Sequence, residues 1–433
     1  MTKARLDGLQ LLLLGSVFFV AIGAVMEFTN PLGMTDFQQI YRSSRCVAQH
    51  HDPYQPDELM ACYQADTGTL PSDSDVVSRT LRKIVFIAPN LPTTLFLIAP
   101  VAALPWKFAV PVWMILIAGC FILACFRVWN AGAESAPRLY GALIFLILVN
   151  SGLLLATGNT AGLVVSLSIL AVSCFLQDRD VLLGVFCLAV ALAIKPHDAG
   201  PIWLYFLLAG GVHRKRALQT AALTLAIVVP AVLWVSHAAP HWLPELQSNL
   251  AVGLSKGGLN NPGPTTQGGR GIGMIISLQA ALSLAWDNAG FYNLASYLIC
   301  GALLLVWCVK TLRSRFSPRL AWFALAAVSA LTMLPFYHRT YDARLLVLAV
   351  PACAALWTES HAPARSMARS ALFLTVAAVV LTGDIFWVVF FQLTHYSGAS
   401  VTWGMIPAPV TLLALAVFYL WIYVRSPSQA DAS

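Results

Sequence analysis

The sequence predicts an all-α, polytopic membrane fold of about twelve transmembrane helices with a large first extracytoplasmic loop. Three observations carry that expectation. Hydrophobic residues make up 58% of the 433 and charged residues only 10%, against about 25% charged in a soluble domain, and the mean hydropathy is +0.74. Apolar runs recur along the whole chain, and backbone in lipid must close its hydrogen bonds internally, as a helix does. Polar residues gather between the runs rather than within them.

The first run, Leu9 to Met26, follows a short basic start at Met1–Arg5 and is long enough to cross a bilayer at about 1.5 Å per residue. No small-residue cleavage site accompanies it, so it reads as a retained span and not a signal peptide. A polar loop follows, from about Glu27 to Lys83. The apolar stretch Ile84 to Leu104 is broken by Pro89, Pro92, Pro100 and, just beyond, Pro105, which remove backbone donors and end or kink helices. It reads as two short helices lying in or dipping into the outer leaflet, with a true span as the open alternative. Further runs fall near 108–126, 139–157, 159–176, 181–194, 200–212, 217–236, 291–309, 319–336, 343–358, 371–391 and 404–424, which with the first make twelve. No repeat or long linker divides them, so 1–433 reads as a single integral-membrane domain.

Charge orients the chain. The basic cluster His213-Arg214-Lys215-Arg216 and the loop from Lys310 to Arg319 mark the cytoplasmic side. This places both termini inside, with 15 of the 26 Lys and Arg inside and in the shorter loops. The extracytoplasmic face then carries a loop at about 28–107 and a second at about 237–290. The second holds a Gly-, Asn- and Pro-rich stretch, Lys256 to Gly273, read as flexible, and a short helix-like run, Ile272 to Trp286, read as lying on the surface. The net charge of +7 reflects the orienting loops. Nucleic acid is excluded as a partner, since no basic helix or aromatic platform accompanies the charge. Of nine Cys, only Cys46 and Cys62 share the first polar loop. A disulfide there suits an oxidising compartment, but sequence does not fix their separation, so paired and free states both stay open.

The candidate chemistry collects at the extracytoplasmic ends of spans. Asp36 lies just beyond the first span, where a carboxylate is rarely kept without use. With it come Asn159, the Lys195-Pro196-His197-Asp198 turn, Arg270, and the stretch Tyr337 to Arg344 with His338 and Arg339. Together they suit a carboxylate base with cations for a phosphate. Lys195 ends an apolar run before Pro196, so the helix stops there and presents a compact ammonium suited to a phosphate oxygen. The competing reading is that these Lys and Arg snorkel to headgroups. No spacing resembles a zinc site, no acidic cluster holds a metal, and no cofactor is expected. Twelve spans with broken helices also suit a transporter or flippase of lipid-linked substrates, the alternative in function.

The order of these pieces resembles glycosyltransferase family 87, polyprenol-phosphate-sugar-dependent integral-membrane enzymes of the GT-C fold class. The matching residues are Asp36-Phe37-x-x-x-Tyr41 followed by Asp52-Pro53-Tyr54, then Ala88-Pro89, Ala99-Pro100 and Leu104-Pro105. Gly158-Asn159, Lys195-Pro196-His197 and Tyr341-Asp342 follow. Members often carry Gln where this chain has Asn159, and a second Tyr or Pro-Pro where it has Ile87-Ala88-Pro89. The resemblance implies an inverting transfer of one sugar, mannose-like or arabinose-like, from a polyprenyl-phosphate donor to a glycan or glycolipid acceptor. It implies Asp36 as general base at the extracytoplasmic face of a bacterial-type inner membrane. Lys195 and Arg270 would meet the lipid phosphate, and His338 the sugar or phosphate, with Arg339, Asn159 and His197 completing the binding set. That chemistry needs one base and cations only. A phosphate leaves well once its charge is met, so no second acid is required, unlike glycoside hydrolysis.

Overall fold

The computed structural model describes residues 2–30, 32–72, 74–264, 275–359, 362–394 and 404–426. Helices α1 (Lys3–Thr29), α2 (Thr35–Ala48), α3 (Pro56–Thr67), α4 (Val76–Val85) and α5 (Pro92–Ala102) lead into α6 (Trp106–Gly132). Next come α7 (Pro137–Val149), α8 (Gly152–Ala156), α9 (Ala161–Leu176), α10 (Val181–Ile194), α11 (Pro196–Ala209), α12 (Gly211–Ala238) and α13 (Trp242–Leu254). The last part holds α14 (Leu278–Ser283), α15 (Ala289–Arg313), α16 (Pro318–Leu331), a 3-10 segment (Asp342–Leu348), α17 (Ala349–Trp357), α18 (Ala362–Leu381), α19 (Asp384–Thr394) and α20 (Pro407–Arg425). Among the described residues the only extended pairing is one antiparallel bridge between Ile275 and Arg339.

This is an all-helical, multi-pass membrane protein, but the runs read as twelve equal spans divide into two kinds. Five helices, α1, α6, α12, α15 and α20, are long and apolar enough to cross a bilayer, and α18 with α19 makes a sixth bent by 60°. The other runs form shorter helices. α9 and α16 are buried nearly all round, which is why their sequences are apolar on every side. The long helices instead turn large apolar side chains outward, such as Leu13 and Val17 of α1, Leu225 and Leu233 of α12, and Leu298 and Leu305 of α15. Composition alone cannot separate a helix wrapped in protein from one wrapped in lipid, since both lack a polar stripe.

Proline sets several boundaries as expected. The stretch 84–104 is not one helix: α4 ends at Val85, and α5 begins with Pro92 in its first turn and contains Pro100. α5 docks on the end of α10, where the Thr93 and Thr94 hydroxyls donate to the carbonyls of Ala193 and Ile194. The second loop departs from its expected surface run. Ile275, Ile276, Leu278 and Ala280 are buried, because Ile276 and Leu278 donate their N–H groups to the carbonyls of His338 and Leu334. Between Lys256 and Pro264 the stretch read as flexible is tied by hydrogen bonds, Gly263 N–H donating to Asn261 Oδ1 at 2.9 Å; residues 265–274, Arg270 among them, lie outside the described set.

The first loop is stapled. Cys46 and Cys62 form a disulfide joining α2 to α3, with Cα atoms 5.7 Å apart. Arg42 and Arg45 both reach Asp66 at 2.8 Å across the same junction. The Asp52-Pro53-Tyr54 motif is a clasp to the second loop: Asp52 Oδ1 accepts from Tyr54 N–H, and Asn249 on α13 donates to the Tyr54 carbonyl. Burial and a hydrogen bond shared with Glu245 push the Asp52 carboxyl up to about 7.

α1 crosses α7 and α8 on small residues. A Cβ added at Gly8 would sit 2.3 Å from the Pro137 carbonyl oxygen, and one at Gly141 2.5 Å from that of Gly8. Close backbone approach of this kind is how membrane helices gain packing energy. Gly8→Ala is therefore expected to cost about 1–3 kcal/mol through forced backbone movement. Gly119→Ala, where nothing lies within 4 Å, should leave stability unchanged or slightly raised; thermal unfolding of the two variants in detergent checks the contrast.

Candidate functional site

Asp36 is delivered by a turn that only glycine permits. Gly158 has φ +64°, and a Cβ there would meet Met34 Sδ and the Phe37 Cβ at 2.7 Å. The turn packs directly on the start of α2: Met34 N–H donates to the Ala156 carbonyl at 2.7 Å, and Asp36 and Phe37 both donate to Thr157. Trp113 holds the other side, its indole N–H donating to the Gly158 carbonyl at 2.7 Å, while its ring stacks on Phe37 with centroids 4.9 Å apart. The apolar Phe37 side chain thus anchors the helix end that presents its polar neighbour.

The next residue, Asn159, orients the carboxylate. Its Oδ1 accepts from Ala161 N–H at 2.8 Å at the head of α9. The amide nitrogen must then face the other way, and it donates to Asp36 Oδ2 at 2.8 Å and to the Tyr341 hydroxyl at 3.0 Å. Burial raises the Asp36 carboxyl above its ordinary value, opposed by Arg339, by the hydrogen bonds from Asn159 and Thr157, and by Lys195. Asn159, expected to bind substrate, has its side-chain groups committed to Asp36, Tyr341 and the α9 cap.

Lys195 occupies the break between α10 and α11 that Pro196 imposes. Its ammonium turns inward instead of standing free at an interface. It lies 2.9 Å from Asp198 Oδ2 and pairs with Asp342 Oδ1. The other Asp342 oxygen accepts from Arg339 N–H at 2.8 Å. Arg339 itself donates to the Tyr337 hydroxyl and, at 3.0 Å, to the Leu259 carbonyl, so its guanidinium ties the late turn to the second loop. Burial opposes its charge, while Tyr337, Tyr341 and Asp36 raise its pKa further. Asp198 Oδ1 faces His338 Nε2 at 2.8 Å, with His197 Nε2 3.7 Å away. His197, Asp198 and His338 together place three ligand-type atoms within 4.8 Å of one another.

The structure therefore brings Asp36, Asn159, Lys195, His197, His338 and Arg339 into one cluster. Asp198, Asp342, Tyr337 and Tyr341, grouped in sequence only as neighbours, are its connecting members. For the two aspartates the signal was present as carboxylates at the edges of apolar runs beside basic residues, a pattern that asks for pairing. Arg344 belongs elsewhere: it is buried and donates to the carbonyls of Thr340 and Thr382, near Asp384, which accepts from Leu153 N–H. A cleft of about 180 Å³ between α2 and α5 contains none of the cluster's residues.

The family model of glycosyltransferase family 87 matches residues 90–336, more than half of the chain. No curated protein and no solved structure matches it. The matched span includes Asn159, Lys195, His197 and Asp198 and stops short of Asp36 and of His338–Asp342, so the latter join the site by geometry.

Removing one partner of a buried charge network strands the rest, at a cost of about 3–5 kcal/mol. Lys195→Met is expected to lower stability by that order, because Asp198 and Asp342 would both lose their cation. The further change Asp342→Asn in that background should restore part of it. Chemical or thermal unfolding of the single and double variants checks the sign.

Proposed function

The chain belongs to glycosyltransferase family 87, and from that premise we propose that it transfers one sugar from a polyprenyl-phosphate donor to a glycan or glycolipid acceptor, inverting the anomeric centre. The observation that carries the reading is a single carboxylate, Asp36, oriented by Asn159 and flanked by Lys195 and Arg339. Family membership also favours transfer over the transporter and flippase alternative.

Asp36 is the general base. The acceptor hydroxyl gives its proton to the carboxylate as its oxygen bonds to the anomeric carbon. The carbon–oxygen bond to phosphate breaks, and polyprenyl phosphate leaves with the electron pair. A positioned base contributes about 10²–10⁴-fold to such a step. Lys195 and Arg339 are fixed cations whose charge acts on the base, and they balance the charge that grows on the leaving phosphate. In the cluster Lys195 is held by two carboxylates, so its position is preorganised and no reorganisation is needed as the reaction proceeds. The site lies at the extracytoplasmic face, the side assigned by the basic loops at Arg214–Arg216 and Lys310–Arg319. A mannose-like hexose or arabinose-like pentose is the transferred sugar.

Asp36→Asn should keep fold and expression and lower transfer by about 10²–10⁴-fold, whereas Asp57→Asn, an exposed carboxylate of the same loop, should leave it unchanged. Transfer of labelled sugar from a panel of polyprenyl-phosphate donors in membranes checks both. Activity surviving in Asp36→Asn would remove Asp36 as the base.

The pH profile gives a second check. The base works only when ionised, so kcat/KM falls as pH drops through the Asp36 pKa. Burial raises that pKa, which places the acid limb above the ordinary carboxylate value of about 4. An acid limb at or below that value in wild-type membranes would contradict the assignment.

A further inference from the structure

We propose that His197, Asp198 and His338 bind one divalent cation of the zinc class, a site that no spacing in the sequence announces and that stands on these side chains independently of the transfer reaction.

The geometry of His338 is the starting point. Its ring is fully buried, and Nδ1 lies 3.1 Å from the Phe336 carbonyl. A carbonyl oxygen only accepts, so Nδ1 carries the proton there. This leaves Nε2 with its lone pair directed at Asp198 Oδ1, 2.8 Å away. A nitrogen lone pair and a carboxylate oxygen at that distance require a cation between them, either a proton or a metal. Metal-binding histidines have this second-shell arrangement, one ring nitrogen tied to a backbone carbonyl and the other left for the ion.

His197 distinguishes the two. Its Nε2 approaches the same oxygen at 3.7 Å, beyond hydrogen-bond range, so a shared proton gives it no role. Ligands each about 2.0–2.2 Å from a tetrahedral ion stand roughly 3.3–3.6 Å from one another; here the separations from Asp198 Oδ1 are 2.8 and 3.7 Å and all three atoms lie within 4.8 Å, so binding draws the half-exposed His197 toward the other two. The two Asp198 oxygens also divide their work, since Oδ2 is the one facing Lys195 at 2.9 Å. Two imidazoles and one carboxylate suit zinc and its neighbours better than magnesium or calcium, which take oxygen ligands.

The charge of the cluster accommodates either cation. Asp36, Asp198 and Asp342 are three carboxylates in one cluster that holds two fixed cations, Lys195 and Arg339. Buried charge left uncompensated is costly. A proton shared at His338 cancels the excess of one negative charge, and a divalent ion turns it into one positive charge, so the choice between them rests on the geometry.

The test uses untagged full-length protein in detergent, stripped with chelator, reloaded with Zn²⁺ and dialysed. One equivalent of zinc by elemental analysis is expected, and Co²⁺ in its place should give the visible absorption of a low-coordinate nitrogen–oxygen site. His197→Ala, at a side chain 37% exposed, should fold normally and weaken binding by at least the roughly 10–100-fold that even outer-shell losses cost. His338→Gln should do the same, while Asp36→Asn should keep its full equivalent. A metal-free protein after reloading, or retention undiminished in both histidine variants, would overturn the site and leave His338 and Asp198 sharing a proton. Because metal is counted apart from transfer, a failed metal site and a failed transferase reading give different results.

Discussion

The polar end of this bundle depends on charge neutralisation around Lys195. An ammonium placed at a helix break among apolar helices is costly unless it is paired, and here Asp198 and Asp342 both face it. Those partners come from the first turn of α11 and from the start of the 3-10 segment, 147 residues beyond Lys195. Satisfying the one charge therefore fixes where the C-terminal part of the chain meets its middle. Arg339, bonded to the same Asp342 through its backbone and to Leu259 through its side chain, extends the arrangement to the second loop.

A second constraint brings the first loop to that cluster. The Gly158 turn and α2 touch so closely that no side chain fits between them, and Phe37 is held in a slot between Trp106 and Trp113. The energetics on this side are mainly apolar: burying an aromatic ring contributes about 1.5–3 kcal/mol, which anchors the helix end carrying Asp36. The disulfide between Cys46 and Cys62 and the Arg42–Arg45–Asp66 group then tie the rest of the loop to α2. A base set by packing on one side and by hydrogen bonds on the other needs little rearrangement in a reaction, which is the physical content of preorganisation.

Much of the fold was legible because hydropathy and proline act locally. Pro92 and Pro196 begin helices and Pro89 lies in the break between α4 and α5, as backbone chemistry requires. The count of spans was not legible. The runs at 159–176 and 319–336 are apolar enough to read as spans, yet they form α9 and α16, wrapped by other helices, and the run at 371–391 bends by 60° between α18 and α19. Hydropathy reports that water is absent; it does not report whether lipid or protein takes its place.

The sequence by itself determined that the chain is helical and membrane-embedded, and it named Asp36, Asn159, Lys195, His197, His338 and Arg339 as residues too polar for their surroundings to be incidental. Burial cost is a property of residue type and local hydropathy, so it can be read along the chain. Only the tertiary structure decided what each of them does. It showed Lys195 to be paired, gave Asn159 the task of orienting a carboxylate, sent Arg344 to a different network, and set His197 and His338 about one Asp198 oxygen. Most of those roles depend on contacts between residues more than a hundred positions apart, and such distances are fixed by packing and not by any local pattern.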